Sequence, residues 1–200
     1  MEKFSSPVTE LVEIPLRVPF EEFLNVFAAE LEPVLLAQPG IISILTGMKI
    51  PTSDKDSFFA ISLTQWETMD AHGAFLKSTS AGTFFERLQS LTSGSPTIEH
   101  YYLGRFKQPA LKSTHSQVFK SDMLESRPQQ TIFSRHVGAC GQGTGAMGPC
   151  LEVETRKTLV LFGSQPLFDA AADIDNLDAS LKSYTVAWRR TGTGRISHSL

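Results

Sequence analysis

Apolar and polar positions divide the first hundred residues into segments of clearly different period. Over residues 8–16, Val8, Val12, Ile14 and Leu16 share one face at a spacing of two, the signature of a strand. After Pro19 the spacing changes to three and four. Phe20, Phe23, Phe27, Leu31 and Val34 then predict an amphipathic helix, with Glu21 and Glu22 at its positive end and Gln38-Pro39-Gly40 as its stop. Residues 41–50 read as a second strand, and residues 51–56, PTSDKD, as a polar hairpin connection.

The stretch that organises the rest is FFAISLTQWETMDAHGAF, residues 58–75. Phe59, Ile61 and Leu63 alternate with Phe58, Ala60, Ser62, Thr64 and Trp66. The uniformly apolar face is expected to pack under helices, and the mixed aromatic and hydroxyl face to meet a ligand. Thr68 can cap a following helix, and Asp70 suits its first turn. That helix carries His72 and Phe75 and extends through Phe84, Phe85, Leu88 and Leu91, with a break near residues 78–82. A turn at residues 93–96 leads to a fourth strand, residues 97–103.

The order β-α-β-β-α-β over residues 8–104 is that of a ferredoxin-like unit. The second half reads as a worn copy, with strands at 131–139, 151–162 and 183–189 and a helix capped by Ser164 that runs through Phe168, Ala171, Ile174 and Leu177. The expected organisation is a first unit, 1–106, a linker with a short helix, 107–130, and a degenerate second unit, 131–200. Two such sheets would face each other with helices outside. Matching Thr68 to Ser164 sets Phe162 opposite Trp66 and Phe168 opposite His72, which assigns a single active pocket mainly to the first unit.

Composition narrows the function. The 200 residues carry a net charge of −3 and 41% apolar residues, enough for a core but no electrostatic case for nucleic acid. No apolar run approaches the ~18 residues of a membrane span. The N-terminus has no signal-peptide apolar region, and the final HSL resembles a peroxisomal address only loosely, so a cytoplasmic location is expected. Cys140 and Cys150 fit free thiols in that compartment. They and His136 do not complete a zinc site. Gly143 to Gly148 matches GxGxxG, but a strand rather than a helix follows, which excludes a dinucleotide site. Residues 138–148 read instead as a glycine-rich connection able to flap over a pocket.

The candidate chemistry lies around two histidines. On strand 97–103, Ile98, His100 and Tyr102 share a face, and Glu99 and Tyr101 share the other. His72 and His100 are the candidate catalytic bases, because imidazole moves protons near neutral pH. Trp66 and Tyr102 would hold an aromatic substrate by stacking and a hydrogen bond; Ser62, Thr64 and Phe58 complete the expected binding face. Each has an ordinary structural alternative, such as a surface histidine or a core tryptophan. No metal ligand set and no cofactor site is expected.

The opening PVTELVEIPL, the helix ending in QPGI and the WETMDAHGAF junction together resemble the antibiotic-biosynthesis-monooxygenase-like family. Its members are dimeric α+β barrels, and its fungal branch often carries two tandem units. The resemblance covers about half of the chain. It implies an α+β fold of ferredoxin-like barrel type, with one complete unit and one degenerate one, closed within the chain or by homodimerisation. It also implies an aromatic or polyketide-like small-molecule substrate and oxygenation without cofactor, in which the substrate enolate or phenolate itself meets oxygen. Related barrels are cyclases, isomerases, dehydratases or decarboxylases, and others degrade haem. The first strand has no Asn, and His72 follows Trp66 by only six residues, a departure that counts against haem. The contrasting expectation is a non-catalytic ligand-binding or stress-related barrel.

Overall fold

The computed structural model describes residues 7–50, 58–121, 145–152, 157–163 and 182–193. In its first half, strand β1 (Val8–Pro15) leads to helix α1 (Phe20–Val26), which continues through a π-helical turn (Phe27–Leu31) into α2 (Glu32–Leu36). Strands β2 (Ile41–Lys49) and β3 (Phe59–Trp66) follow, then helices α3 (Met69–Leu76) and α4 (Thr79–Leu91), and strand β4 (Thr97–Tyr101). Thr68 caps α3, its hydroxyl accepting from the Ala71 amide at 3.0 Å. The expected break falls at Ser78, whose hydroxyl caps α4 by accepting from the Ala81 amide at 3.3 Å.

The later strands differ more from the sequence reading. Within the segment read as a linker, a short helix α5 (Gln108–Leu111) precedes a strand, β5 (His115–Ser121). Gly145–Pro149, read as part of a glycine-rich flap, is strand β6. Strands β7 (Lys157–Gly163) and β8 (Lys182–Thr193) complete the set. The strand expected at 131–139 and the helix capped by Ser164 lie outside the described residues. Period-two patterning is weak in HSQVFKS and GAMGP because these strands are short and rich in small or polar residues.

Among the described residues, eight strands form one antiparallel sheet in the order β4-β1-β3-β2-β8-β5-β7-β6, rather than two separate sheets facing each other. The last four strands follow the same spatial order as the first four, counted from β8 as β4 is counted in the first half. The joint between the halves is the β2–β8 pairing, with a bulge between Thr46 and Gly47. A Cβ on Gly47 would lie 2.4 Å from the Ala187 carbonyl oxygen, so the joint requires a residue without a side chain. The sheet curls until its two edges meet. Tyr101 at the end of β4 bridges Cys150, just after β6, the Tyr102 amide donates to the Pro149 carbonyl at 3.3 Å, and the Leu151 amide donates to the His100 carbonyl at 2.8 Å. Gly148 makes that closure possible, since a Cβ there would lie 1.9 Å from the Tyr102 carbonyl oxygen. The last glycine of the GxGxxG match is thus a close-approach residue of the sheet.

Two cores result, one on each face. Leu11, Leu45, Ile61, Leu63, Val118, Val160 and Phe162 fill the interior of the curl. Val12, Ile14, Ile44, Ala60 and Trp66 pack outward beneath Phe23, Phe27, Phe75, Phe84 and Leu88 of the helices. This reverses the expectation for β3, whose apolar face lines the curl and whose mixed face lies under the helices. Both faces are buried, every residue from Ala60 to Trp66 included, so alternation alone could not say which was which. Phe162 belongs to the interior with Leu63, not to the helix side with Trp66, so the cap-based matching sets residues of opposite faces against each other.

One end of the interior is charged. Lys120 on β5 reaches Glu99 of β4 at 2.6 Å and also pairs with Glu13 of β1. Tyr184 donates to Glu13 at 3.2 Å, and Tyr101 donates to Glu99 at 2.9 Å. Among the described residues, no helix is long and apolar enough to cross a membrane. Replacing Lys120 by Met should cost about 2–4 kcal/mol in denaturant unfolding at pH 7, because two nearby carboxylates lose their shared cation. That is below the ~3–5 kcal/mol typical of a fully buried pair, since Glu13 keeps 17% of its side chain exposed.

Candidate active site

On the helix side of the sheet, cross-strand pairing sets a polar row beneath the helices. His100 lies opposite Glu10, Glu10 opposite Thr64, and Thr64 opposite Ile44. The next row is Ile98, Val12, Ser62 and Thr46. Between these rows and the helices lies a cavity of about 420 Å³, within the range of small-molecule sites. Glu10, Ser62 and Thr64 line it from the sheet, and Phe27, Phe75, Phe84 and Phe85 from the helices. Phe27 opens the π-helical turn, a local widening of the helix that is frequent at functional sites. The Ser62 and Thr64 hydroxyls lie 3.3 Å apart.

Glu10 and Arg17 are the ionisable residues of this chamber, and Glu10 is the one on the sheet beside the histidines. Burial pushes its carboxyl above the usual carboxylate range, and a hydrogen bond from Trp66 and the charge of His100 only partly offset this. The Trp66 indole donates to Glu10 Oε2 at 3.3 Å, and His72 Nε2 stands 3.6 Å from Glu10 Oε1. His72 is positioned by the capped first turn of α3 and by the Trp66 ring, centroid to centroid at 5.1 Å. Its Nδ1 meets His100 Nε2 at 3.2 Å, and His100 Nδ1 pairs with a Glu152 carboxylate oxygen. Glu152 also accepts from the His100 amide at 2.9 Å and from the Cys150 thiol at 3.2 Å. Burial pushes the Glu152 carboxyl up, but these hydrogen bonds outweigh it and hold the group below its ordinary value. His72 is pushed down to about 4, first by burial and then by the charge of His100. It is therefore a neutral imidazole at pH 7.

His72, His100, Trp66 and Thr64 thus adjoin one half-buried acid, with Ser62 in the next row, on the helix-covered face rather than the opposite one. Trp66 is fully buried in the core, with its indole nitrogen serving Glu10. Tyr102 and Phe58 do not join them. They are 42% and 55% exposed. Of the expected site residues only Ser62 and Thr64 line the cavity; His72, His100 and Trp66 do not, and reach it only through Glu10. Glu10 and Glu152 were missed. Glu10 left a signal, a carboxylate at the skipped position of the apolar face Val8, Val12, Ile14; Glu152 left none, being 52 residues from its partner His100. Glu10, His72 and His100 each also offer one ligand atom, all within 4.8 Å of one another, a donor set suited to zinc or iron. The nitrogens that face each other already share a hydrogen bond.

No protein-family model matches the sequence, and no curated protein is similar to it. Solved structures are similar in fold over nearly the whole chain. A candidate monooxygenase from Fusobacterium nucleatum superposes with a TM-score of 0.67 at 8% identity, covering 95% of each chain. A candidate monooxygenase from Lactobacillus acidophilus gives 0.63 at 10%, covering 94% of this chain and 96% of its own. An anthrone oxidase-like protein gives 0.60 at 11%, covering 95% and 94%. The curled antiparallel sheet with its helices is therefore the α+β fold that these solved structures share.

The His72 shift fixes the sign of a pH effect. Above pH 6.5 the imidazole is neutral both folded and unfolded, and its packing contributes in full. As the pH falls from 6.5 to about 4, the unfolded chain takes up a proton that the folded chain refuses. Stability should drop across that window by up to about 3 kcal/mol and lose nothing further to this group below it. Denaturation at stepped pH, with an NMR titration of His72 showing a midpoint near 4, checks this.

Proposed function

We propose that this chain is a cofactor-independent oxygenase of secondary metabolism. It acts on an aromatic or polyketide-like substrate held in the sheet–helix cavity of the first of two tandem ferredoxin-like units, the second being the degenerate one. The observation that supports this most directly is the half-buried Glu10 carboxyl, raised in pKa, in the lining of a cavity walled by four phenylalanines. A carboxylate whose pKa is raised toward the working pH is a stronger base, as abstraction of a carbon-bound proton requires. The phenylalanines suit a planar aromatic body, and the Ser62 and Thr64 hydroxyls are placed to donate to an enolate oxygen. The similarity in fold to an anthrone oxidase-like protein suggests a substrate whose CH₂ is acidified by a ring carbonyl.

The reaction balances without a further redox partner. Glu10, backed by His72, removes one proton from the CH₂. The carbanion electron pair forms a C–O bond to dioxygen, and the resulting peroxide anion recovers the proton. Loss of water breaks the O–O bond and the second C–H bond, leaving a carbonyl. One oxygen atom enters the product and the other leaves as water.

Oxygen uptake with anthrone-type substrates tests the proposal, and separates it from a cyclase or isomerase using the same base, which would turn over without consuming oxygen. Glu10→Gln should lower turnover by ~10²–10⁴-fold, the usual contribution of a general base, in a protein that remains folded. His72→Ala should lower it in the same sense. Near-normal uptake in Glu10→Gln would remove the acid-base assignment.

A second prediction concerns metal. Dialysis against a strong chelator should leave uptake unchanged. Loss of activity restored by zinc or iron would instead assign Glu10, His72 and His100 to a metal centre.

A further inference from the structure

The Glu10 carboxyl is poorly placed to exchange protons once a substrate fills the cavity in front of it. Behind it the contacts do not stop. His72 Nε2 is 3.6 Å away, His72 Nδ1 lies 3.2 Å from His100 Nε2, and His100 Nδ1 pairs with Glu152. Exposure along this line is least at His72 and rises from there to Glu152. The side chains of Glu10, His72 and His100 are 13%, 4% and 11% exposed, and that of Glu152 is 43% exposed. We infer that His72, His100 and Glu152 form a proton path from the cavity to solvent, with Glu152 as its outlet. The inference rests on the reading of Glu10 as the base. It makes Glu152 a positioning and proton-accepting residue supplied from the far side of the sheet closure.

One set of tautomers orients the line for transfer. Protonated Glu10 faces His72 Nε2 at 3.6 Å and must close that gap to donate, His72 Nδ1–H donates to His100 Nε2, and His100 Nδ1–H donates to the Glu152 carboxylate. Moving each proton one step along leaves Glu10 as carboxylate, each imidazole with its proton on Nε2, and Glu152 as an exposed carboxylic acid that passes the proton to water. Three N–H or O–H bonds break and three form. Neither ring gains or loses a net proton in the shift. That matters because burial disfavours a charged His72, so a path through a discrete imidazolium at this position would be unfavourable. The low pKa of Glu152 favours rapid release at the outlet, and water or buffer can reach it there.

The test is isotope exchange under nitrogen, with anthrone as the probe and heavy water as solvent. In the wild-type protein the bound methylene should exchange with solvent, and the bound anion should be visible in its absorbance. Glu152→Gln keeps the size of the side chain at an exposed position but cannot take the proton. It should bind anthrone with unchanged affinity yet slow the exchange at least tenfold in dilute buffer. Glu152→Asp should restore most of it, and added formate should restore part of it in Glu152→Gln. A side chain with a merely structural role would give neither rescue. Exchange at the wild-type rate in Glu152→Gln would overturn the path while leaving Glu10 as base. Absence of both anion and exchange in the wild-type protein would overturn the Glu10 reading, and the path with it.

Discussion

The approach of strand β4 to the end of β6 is the contact on which the rest of the site depends. It is a backbone contact first, made by the Tyr102 and Leu151 amides, and it requires the absence of a side chain at Gly148. An open eight-stranded sheet would leave two edges with unpaired amides and carbonyls, a liability that closure removes. Closure also carries Cys150 and Glu152 from the second half of the chain onto His100 of the first. The same geometry that protects the edges therefore completes the line of acid and imidazole groups. A ferredoxin-like unit closed differently would keep Glu10, His72 and His100 and lack the carboxylate behind them.

The two faces of β3 show how polar groups are tolerated in a sheet buried on both sides. Each buried polar atom without a partner is costly. On the interior face, Gln65 is tied on all sides: its amide nitrogen donates to Thr9 Oγ1 at 3.0 Å and to the Gly104 carbonyl at 2.7 Å, and its oxygen accepts from the Phe106 amide at 2.9 Å. It anchors the loop after β4 and has no capacity to spare. On the helix face, Ser62, Thr64 and Glu10 have fewer protein partners and border a cavity.

The first unit was largely legible because its elements are long, periodic and locally capped. Phe20, Phe23, Phe27 and Leu31 are all buried as their spacing requires, and Thr68 caps where it should. The π-helical turn left no mark, since an extra residue in a helical turn hardly disturbs a spacing of three and four. In the second half, His115–Ser121 and Gly145–Pro149 owe their strand state to neighbours distant in sequence, and tertiary pairing outweighs their weak local preference. The histidines could be singled out because an ionisable ring is conspicuous in an aromatic stretch. Which face they occupied could not, because that depends on which side of β3 the helices cover. Glu152 could not be found from sequence at all, since its role exists only where the sheet edges meet.

Register is the quantity that keeps these features together. Shifting β3 by one residue against β1 would turn Gln65 toward the helices and Thr64 and Trp66 into the curl, because alternate residues face opposite sides. Gln65 would then leave the Thr9, Gly104 and Phe106 groups without their partner, and Glu10 would lose the Trp66 indole that now donates to it. Both losses fall on buried polar atoms, so both faces penalise the same slip. The buried amide on one side thus enforces the alignment that the buried acid on the other side needs. A costly, chemically useful carboxyl can be held in place without further strong contacts of its own.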